Sequence, residues 1–217
     1  MLQGIKLIIY DLDGVLIDSN PAIRESILHV LDEMNLQYHI NAIMEQMGTP
    51  LNLIFDDVFN EQDKDKIPEA IETYRKYYAE SGKDAIIVQE KVCETLEYFS
   101  QNGIKQCIAS NSSRELMEPI LEEFGIMMFI DFFVGVDDVV KPKPDPMILM
   151  EIMKRTGASR KETVFVDDSS TGLGAGKKAG VHTVGIATGV HTTKQIMTVD
   201  PEFILTKIDQ LKQIIKV

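Results

Sequence analysis

Short unbroken apolar runs alternate along this chain with stretches in which apolar residues return every third or fourth position. Residues 5–10 form the first run. It closes on acidic residues and a glycine, as a strand buried on both faces would. Residues 104–109, Phe132–Val134, 164–166 and 181–186 have the same character. Between them the period is helical. Residues 91–101 carry Val92, Cys93, Leu96 and Phe99 as one face. Residues 146–156 start from Asp145 as an N-cap, with Pro146 at the first helical position. Ser112 or Ser113 caps a helix running to Phe124, with Gly125 just past its end. Strands alternating with helices predict crossover units, hence an α/β fold with a doubly wound, mainly parallel sheet.

One interval breaks the alternation. Between residues 20 and 81 no strand pattern occurs, and helical patterns cover 21–34, 40–47, 51–59 and 68–80. The acidic, lysine-dotted run at 61–66 reads as a solvated loop. This interval sits between the first strand and the next core element. The expected organisation is a core of residues 1–15 and 86–217 and an inserted helical domain of residues 16–85, with linkers near 15–19 and 82–88.

Composition narrows the function classes. The chain has 217 residues, 44% hydrophobic and 26% charged, enough for a core without disulfide or metal staples. Its formal charge of −12 disfavours nucleic acid as a partner, since repulsion opposes the encounter. Any anion it binds needs local positive charge or a metal ion. Cys93 and Cys107 cannot build a disulfide framework and read as small buried apolar residues, which fits a cytoplasmic location. The first apolar run stops at Asp11, too short for a secretory core, and no run approaches a membrane span.

Chemistry-bearing residues collect just after the predicted strands. Asp11-Leu12-Asp13-Gly14 follows the first, Ser110-Asn111-Ser112-Ser113 the second and Asp167-Asp168-Ser169 the fourth; Lys141-Pro142-Lys143-Pro144-Asp145 comes shortly after the third. In a parallel sheet, residues beyond the carboxyl ends of the strands share one crevice. Carboxylates gathered there repel one another, and a hard divalent cation, Mg²⁺ by donor type, removes the conflict. The Ser110 hydroxyl, the amides of the turn at Gly14 and a lysine then read as a phosphate cradle.

The stretch from Asp11 to Ser19 resembles the first motif of the haloacid dehalogenase superfamily of phosphohydrolases. Ser110 followed by Asn111, Lys141 in its proline-rich setting, and Asp167-Asp168-Ser169 with Gly172 and a small-residue helix to Gly180 match the later motifs in order and spacing. The insertion lies where members of the phosphoglycolate phosphatase and beta-phosphoglucomutase branch carry a helical cap. The resemblance implies a Rossmann-like core and a Mg²⁺-dependent phosphatase acting on a small phosphorylated metabolite, of phosphoglycolate or sugar-phosphate type. It assigns the nucleophile to Asp11, which becomes an aspartyl-phosphate, and the acid–base role to Asp13. Asp11, Asp13 through its backbone carbonyl, Asp167 and Asp168 are the implied metal set. Gly14, Ser110, Asn111 and Lys141 are the implied substrate contacts, and Lys141 also keeps Asp11 ionised.

The chain departs from the family pattern in three places. Position 172 is Gly where many relatives carry another Asp. Glu90-Lys91 replaces the Pro-Gly pair at which the cap rejoins the core. Leu51 stands where the mutases place a phosphate-gripping Arg, which favours hydrolysis over a mutase activity. A different class, a receiver-like module that keeps its phosphate, needs neither Asp13 nor a helical insertion. Lys143 is expected to be a solvated neighbour, Ser112 and Ser113 helix caps, and Arg24 and Arg75 exposed helix arginines. Asn111 either faces substrate or braces its loop. His29, His39, His182 and His191 lack ligand spacing, and Met147, Met150 and Met153 are expected in the core. Substrate identity and the choice between a monomer and a small homo-oligomer are not legible.

Overall fold

The computed structural model describes residues 1–188 and 192–217; His191 therefore lies outside the described residues. Its strands are β1 (Leu7–Tyr10), β2 (Ile17–Asp18), β3 (Ile87–Val88), β4 (Lys105–Ala109), β5 (Phe132–Val134), β6 (Thr163–Asp167), β7 (His182–Ile186) and β8 (Phe203–Leu205). Six of them form one sheet in the order β5-β4-β1-β6-β7-β8. Every neighbouring pair in it is parallel. The helices are α1 (Asn20–Glu33), α2 (Ile40–Met44), α3 (Leu51–Val58), α4 (Ile67–Glu80), α5 (Val92–Gln101), α6 (Arg114–Glu123), α7 (Met147–Thr156), α8 (Ser170–Ala179), α9 (Thr193–Met197) and α10 (Leu211–Ile214).

The central strand shows why its sequence is continuously apolar. Successive side chains of β1 point to opposite faces, and both faces are covered. Ile8 and Tyr10 join the layer containing Leu96, Phe99, Met117 and Leu121 of α5 and α6. Leu7 and Ile9 join the layer containing Ile148, Ile152, Ala175 and Ala179 of α7 and α8. At roughly 25 cal/mol per Å² of apolar surface removed from water, such a doubly covered strand is a main contributor to stability.

The pair β2–β3 is antiparallel, with Ile17 opposite Val88 and Asp18 opposite Ile87. Gln89 N–H extends the pairing to the Leu16 carbonyl at 3.0 Å. These two short strands bracket α1–α4. Ile27, Val30, Ile54, Phe55 and Ala70 form their fully buried interior, and α1 packs along α4.

Several expectations need correction. The edge strand β8 was not anticipated, because three half-buried residues form no recognisable apolar run. Cys93 is exposed, and Thr95 takes its place on the buried face of α5. Positions 92, 95, 96 and 99 lie within one helical stripe, whereas position 93 turns about 100° away. Met153 is in the core but Met150 is 47% exposed. Residues Glu61–Lys66 are a 3₁₀ helix rather than an open loop. Asp63 ties it down by accepting hydrogen bonds from Tyr38 Oη at 2.6 Å and Lys66 Nζ at 2.7 Å.

Candidate active site

The chain enters the sheet at β1, adds β4 and β5 on one side, then returns to add β6, β7 and β8 on the other. Such a reversal opens a crevice beyond the carboxyl ends of the strands around β1. Asp11 directly follows β1, Ser110 directly follows β4, and Asp167 is the last residue of β6. Asp11, Asp167 and Asp168 are all buried there, and one carboxylate oxygen from each lies within 4.8 Å of the others.

Lys143 lies between two of these carboxylates, with Nζ 3.0 Å from Asp11 Oδ1 and 2.9 Å from Asp167 Oδ2. Burial works against its ammonium, but Asp11 and Asp167 more than offset it and raise its pKa. Burial pushes the Asp11 carboxyl up to about 8, with Lys143 pulling it down and Asp167 and Asp13 pushing further up. Asp168 is raised well above the usual carboxylate range by burial first and by Asp167 and Asp11 next. A single ammonium does not balance three buried carboxylates, so the donor set fits a further hard cation held by oxygen ligands.

Local chain geometry makes this density of charge possible. Leu12 N–H donates to Asp11 Oδ1 at 2.8 Å. Gly14 has φ +79°, and a Cβ there would lie 2.1 Å from Asp168 Oδ2. At Gly172, in the first turn of α8, a Cβ would lie 1.8 Å from Asp167 Oδ2. The missing side chains are what let the two carboxylates enter. Ser169 fixes Asp167 from below: its N–H and hydroxyl both donate to Oδ1, at 2.8 and 2.7 Å. The same Ser169 Oγ accepts the Gly172 N–H and caps α8.

Asp13 lines the same cavity as Asp11. Its Oδ1 accepts from Ser19 Oγ at 2.6 Å and its Oδ2 from Ser112 Oγ at 2.9 Å. Ser112 is thus a partner of Asp13, and its side chain caps no helix. Ser113 stands at the cap position just before α6, yet its buried hydroxyl has no partner among the described residues. The first N–H of that helix, on Arg114, is taken by the Asp137 carboxylate. Ser110 is 1% exposed and accepts the Ser112 N–H at 3.0 Å.

The lysine assignment needs correction. Lys143, not Lys141, reaches the carboxylates: it is 1% exposed, while Lys141 is on the surface. The cause is a clamp on the backbone of residue 143. Asn111 Oδ1 accepts its N–H and Asn111 Nδ2 donates to its carbonyl, both at 3.0 Å. Both lysines precede a proline, so residue type alone does not separate them. Asn111 braces its loop, and its amide also donates to Gly48 at 2.8 Å.

Above the carboxylates lies a cavity of about 280 Å³, walled on the far side by Ile23, Leu51, Ile54, Tyr74, Arg75 and Tyr78 from α1, α3 and α4. Arg24 and Arg75 are both exposed, as expected; Arg75 also borders the cavity, whereas Arg24 lies outside it, beside Asn41. The tyrosines were not singled out from the sequence; their spacing of four on the apolar face of α4 was the available signal. His29 stacks on Tyr77, and His182 pairs with Glu202 away from the carboxylates.

The chain is similar to known proteins over most of its length. The model of the haloacid dehalogenase-like hydrolases matches residues 8–186. A protein of Halalkalibacterium halodurans named pyrophosphatase PpaX is 31% identical over 214 residues, covering 98% of each chain. A protein of Bacillus velezensis with the same name is 31% identical over 213 residues, covering 98% of this chain and 97% of the relative. Among solved structures, a predicted phosphoglycolate phosphatase from Haemophilus somnus superposes with a TM-score of 0.87 at 26% identity, covering 97% of this chain and 98% of that one.

Proposed function

The chain belongs to the haloacid dehalogenase-like hydrolases, and from that premise we propose that it is a Mg²⁺-dependent phosphatase working through Asp11 on a small phosphorylated metabolite. One observation carries the reading: Asp11, Asp167 and Asp168 bring their carboxylates within 4.8 Å beside a cavity. Asp11, Asp167, Asp168 and the Asp13 backbone carbonyl would hold the ion. The bound ion supplies positive charge that lets an anionic nucleophile meet an anionic phosphoryl group.

The chain's own residues do the rest. An Asp11 carboxylate oxygen attacks phosphorus, the P–O bond to the leaving group breaks, and the leaving oxygen takes a proton from Asp13. Water then returns a proton to Asp13 and attacks the aspartyl-phosphate; the Asp11–phosphorus bond breaks and phosphate departs. The hydroxyls of Ser19 and Ser112 hold both Asp13 oxygens, which keeps that carboxylate aimed at the cavity. Lys143 and the Ser110 hydroxyl line the cavity as donors to the phosphoryl oxygens. Gly14 gives the backbone its close approach.

Residues 16–85 act as a lid that excludes water during transfer, and residues 1–15 and 86–217 as the catalytic body. Leu51 meets the cavity with an apolar side chain, so this lid lacks the mutase arginine and the reading stays with hydrolysis. Candidate substrates are a phosphoglycolate- or sugar-phosphate-type monoester and, from the names of the relatives, pyrophosphate. No helix among the described residues is long and apolar enough to cross a membrane. Cys93 and Cys107 are free, in keeping with a cytoplasmic enzyme.

The test is phosphate release from a panel of phosphorylated metabolites with Mg²⁺, with EDTA, and by Asp11→Asn. The reading expects many turnovers per chain with Mg²⁺ and none in the other two arms. Release that survives Asp11→Asn, or stops at one phosphate per chain, would overturn it.

A further inference from the structure

The ends of β1, β4 and β6 furnish Asp11, Ser110 and Asp167. The end of β7 carries no acidic residue, yet it also reaches this cluster. Ile186 closes β7, and the Ala187 N–H extends its ladder to the Leu205 carbonyl of β8 at 2.9 Å. The next residue, Thr188, is half-buried, and its Oγ1 donates to the Gly14 carbonyl at 2.6 Å, joining residues 174 positions apart.

Gly14 is where the turn after β1 meets Asp168. It holds φ +79°, and its missing Cβ admits the Asp168 carboxylate. The same absence loosens the turn, because glycine restricts its own φ and ψ less than any other residue. Internal hydrogen bonds restore part of that restraint. The Gly14 N–H donates to the Ile17 carbonyl at 2.7 Å. This fixes the peptide plane between Asp13 and Gly14, since a trans peptide sets its C=O and N–H antiparallel. The plane on the other side of Gly14 is held less well from within: its Val15 N–H reaches the Leu12 carbonyl only at 3.4 Å, beyond the usual range for such a bond. The Thr188 hydroxyl, at 2.6 Å, is the tighter restraint on that plane. Both groups that the phosphatase reading asks of Asp13, its side chain as proton donor and its backbone carbonyl as an ion ligand, hang on this turn.

We infer that Thr188 is a positioning residue for the reaction: its hydroxyl pins the Gly14 carbonyl and so fixes the turn that places Asp13 against Asp168. The inference rests on the phosphatase reading and extends it to a fourth strand end. A threonine hydroxyl has one proton, and here Gly14 takes it. Thr188 therefore acts through the turn and has no proton left for a phosphoryl oxygen. Valine keeps the shape of threonine and loses the donor; serine keeps the donor and loses the methyl group.

The experiment compares full-length wild type, Thr188→Val and Thr188→Ser. Turnover is measured with 4-nitrophenyl phosphate, and Mg²⁺ binding by calorimetric titration without substrate. Thr188→Val should lower kcat about tenfold, the scale of one lost hydrogen bond, and leave KM within about twofold. It should also weaken Mg²⁺ binding by about tenfold, the scale seen when a partner of a metal ligand is removed. Thr188→Ser should bring both back to within about threefold of wild type. If Thr188→Val does not fold, Thr188→Ala removes the same hydroxyl and is read in the same way. A merely structural role would lower Tm alone, so wild-type kcat and Mg²⁺ affinity in Thr188→Val overturn the inference whatever its Tm. A serine variant no better than valine overturns it too. In either case turnover by wild type leaves the phosphatase reading standing. If wild type neither releases phosphate nor binds Mg²⁺, that reading falls and this inference falls with it.

Discussion

The side-chain amide of Asn111 donates to the backbone carbonyl of Gly48 across 2.8 Å, joining residues 63 positions apart. One partner lies just beyond β4 of the six-stranded sheet, the other in the loop between α2 and α3 of the inserted helical segment. The same side chain accepts the N–H of Lys143 and donates to its carbonyl. The position of that loop and the placement of Lys143 beside Asp11 and Asp167 therefore share one amide. Asn111→Ala should raise KM about tenfold and lower kcat as well, since each buried partner left unpaired costs roughly 1–3 kcal/mol. Asn111→Asp should be worse than Ala, because a carboxylate would face two carbonyl oxygens. Steady-state kinetics of the pair check this; an Asp variant as active as Ala would contradict it.

Lys143 and Lys141 make opposite predictions. Lys143→Met removes the only ammonium within salt-bridge reach of Asp11 and Asp167 among the described residues. Breaking a buried pair this way costs about 3–5 kcal/mol, so turnover should drop by at least ~10²-fold. Lys141→Met alters an exposed side chain and should leave kcat/KM within about twofold. Parallel assays of the two variants decide between them.

Gly172 is a packing requirement of the carboxylate cluster. In Gly172→Ala the new methyl carbon would sit 1.8 Å from Asp167 Oδ2, so Asp167 or the start of α8 must move. The fold should lose about 1–3 kcal/mol, and the stabilisation by Mg²⁺ seen as a rise in Tm should shrink along with activity. Thermal melts with and without Mg²⁺ measure both effects. An unchanged Mg²⁺ response would show that Asp167 does not contribute to ion binding.

Lys91 stores backbone strain. It holds φ +67° just before α5. A side chain in that region costs about 1–2 kcal/mol, and glycine gives back part of this through its freer unfolded chain. Lys91→Gly should stabilise the protein by about 0.5–1 kcal/mol, a rise of roughly 2 °C in Tm. The exposed Lys91–Glu94 pair it gives up is worth little. Calorimetric Tm values test the sign.

Much of the architecture was legible because it is local. A strand buried on both faces must be apolar throughout, and the runs ending in Tyr10, Ala109, Val134 and Ile186 all became parallel strands. The edge strand Phe203–Leu205 was not legible, because an edge position demands no such run. Cys93 was misplaced for a related reason: a single step of about 100° separates a buried from an exposed position on a short helix.

Taken alone, the order of residues determined the fold class, the inserted helical segment and the strand ends at which Asp11, Ser110 and Asp167 emerge. Local periodicity and the rule that parallel strands aim their carboxyl ends the same way are enough for that. Only the tertiary structure decided which lysine enters the carboxylates, that Asn111 ties Gly48 to Lys143, and that Tyr74, Arg75 and Tyr78 face the cavity. Those outcomes depend on contacts between residues remote in sequence. Lys141 and Lys143 have equivalent neighbours, and what separates them is an asparagine 32 positions before Lys143 that clamps one backbone and not the other.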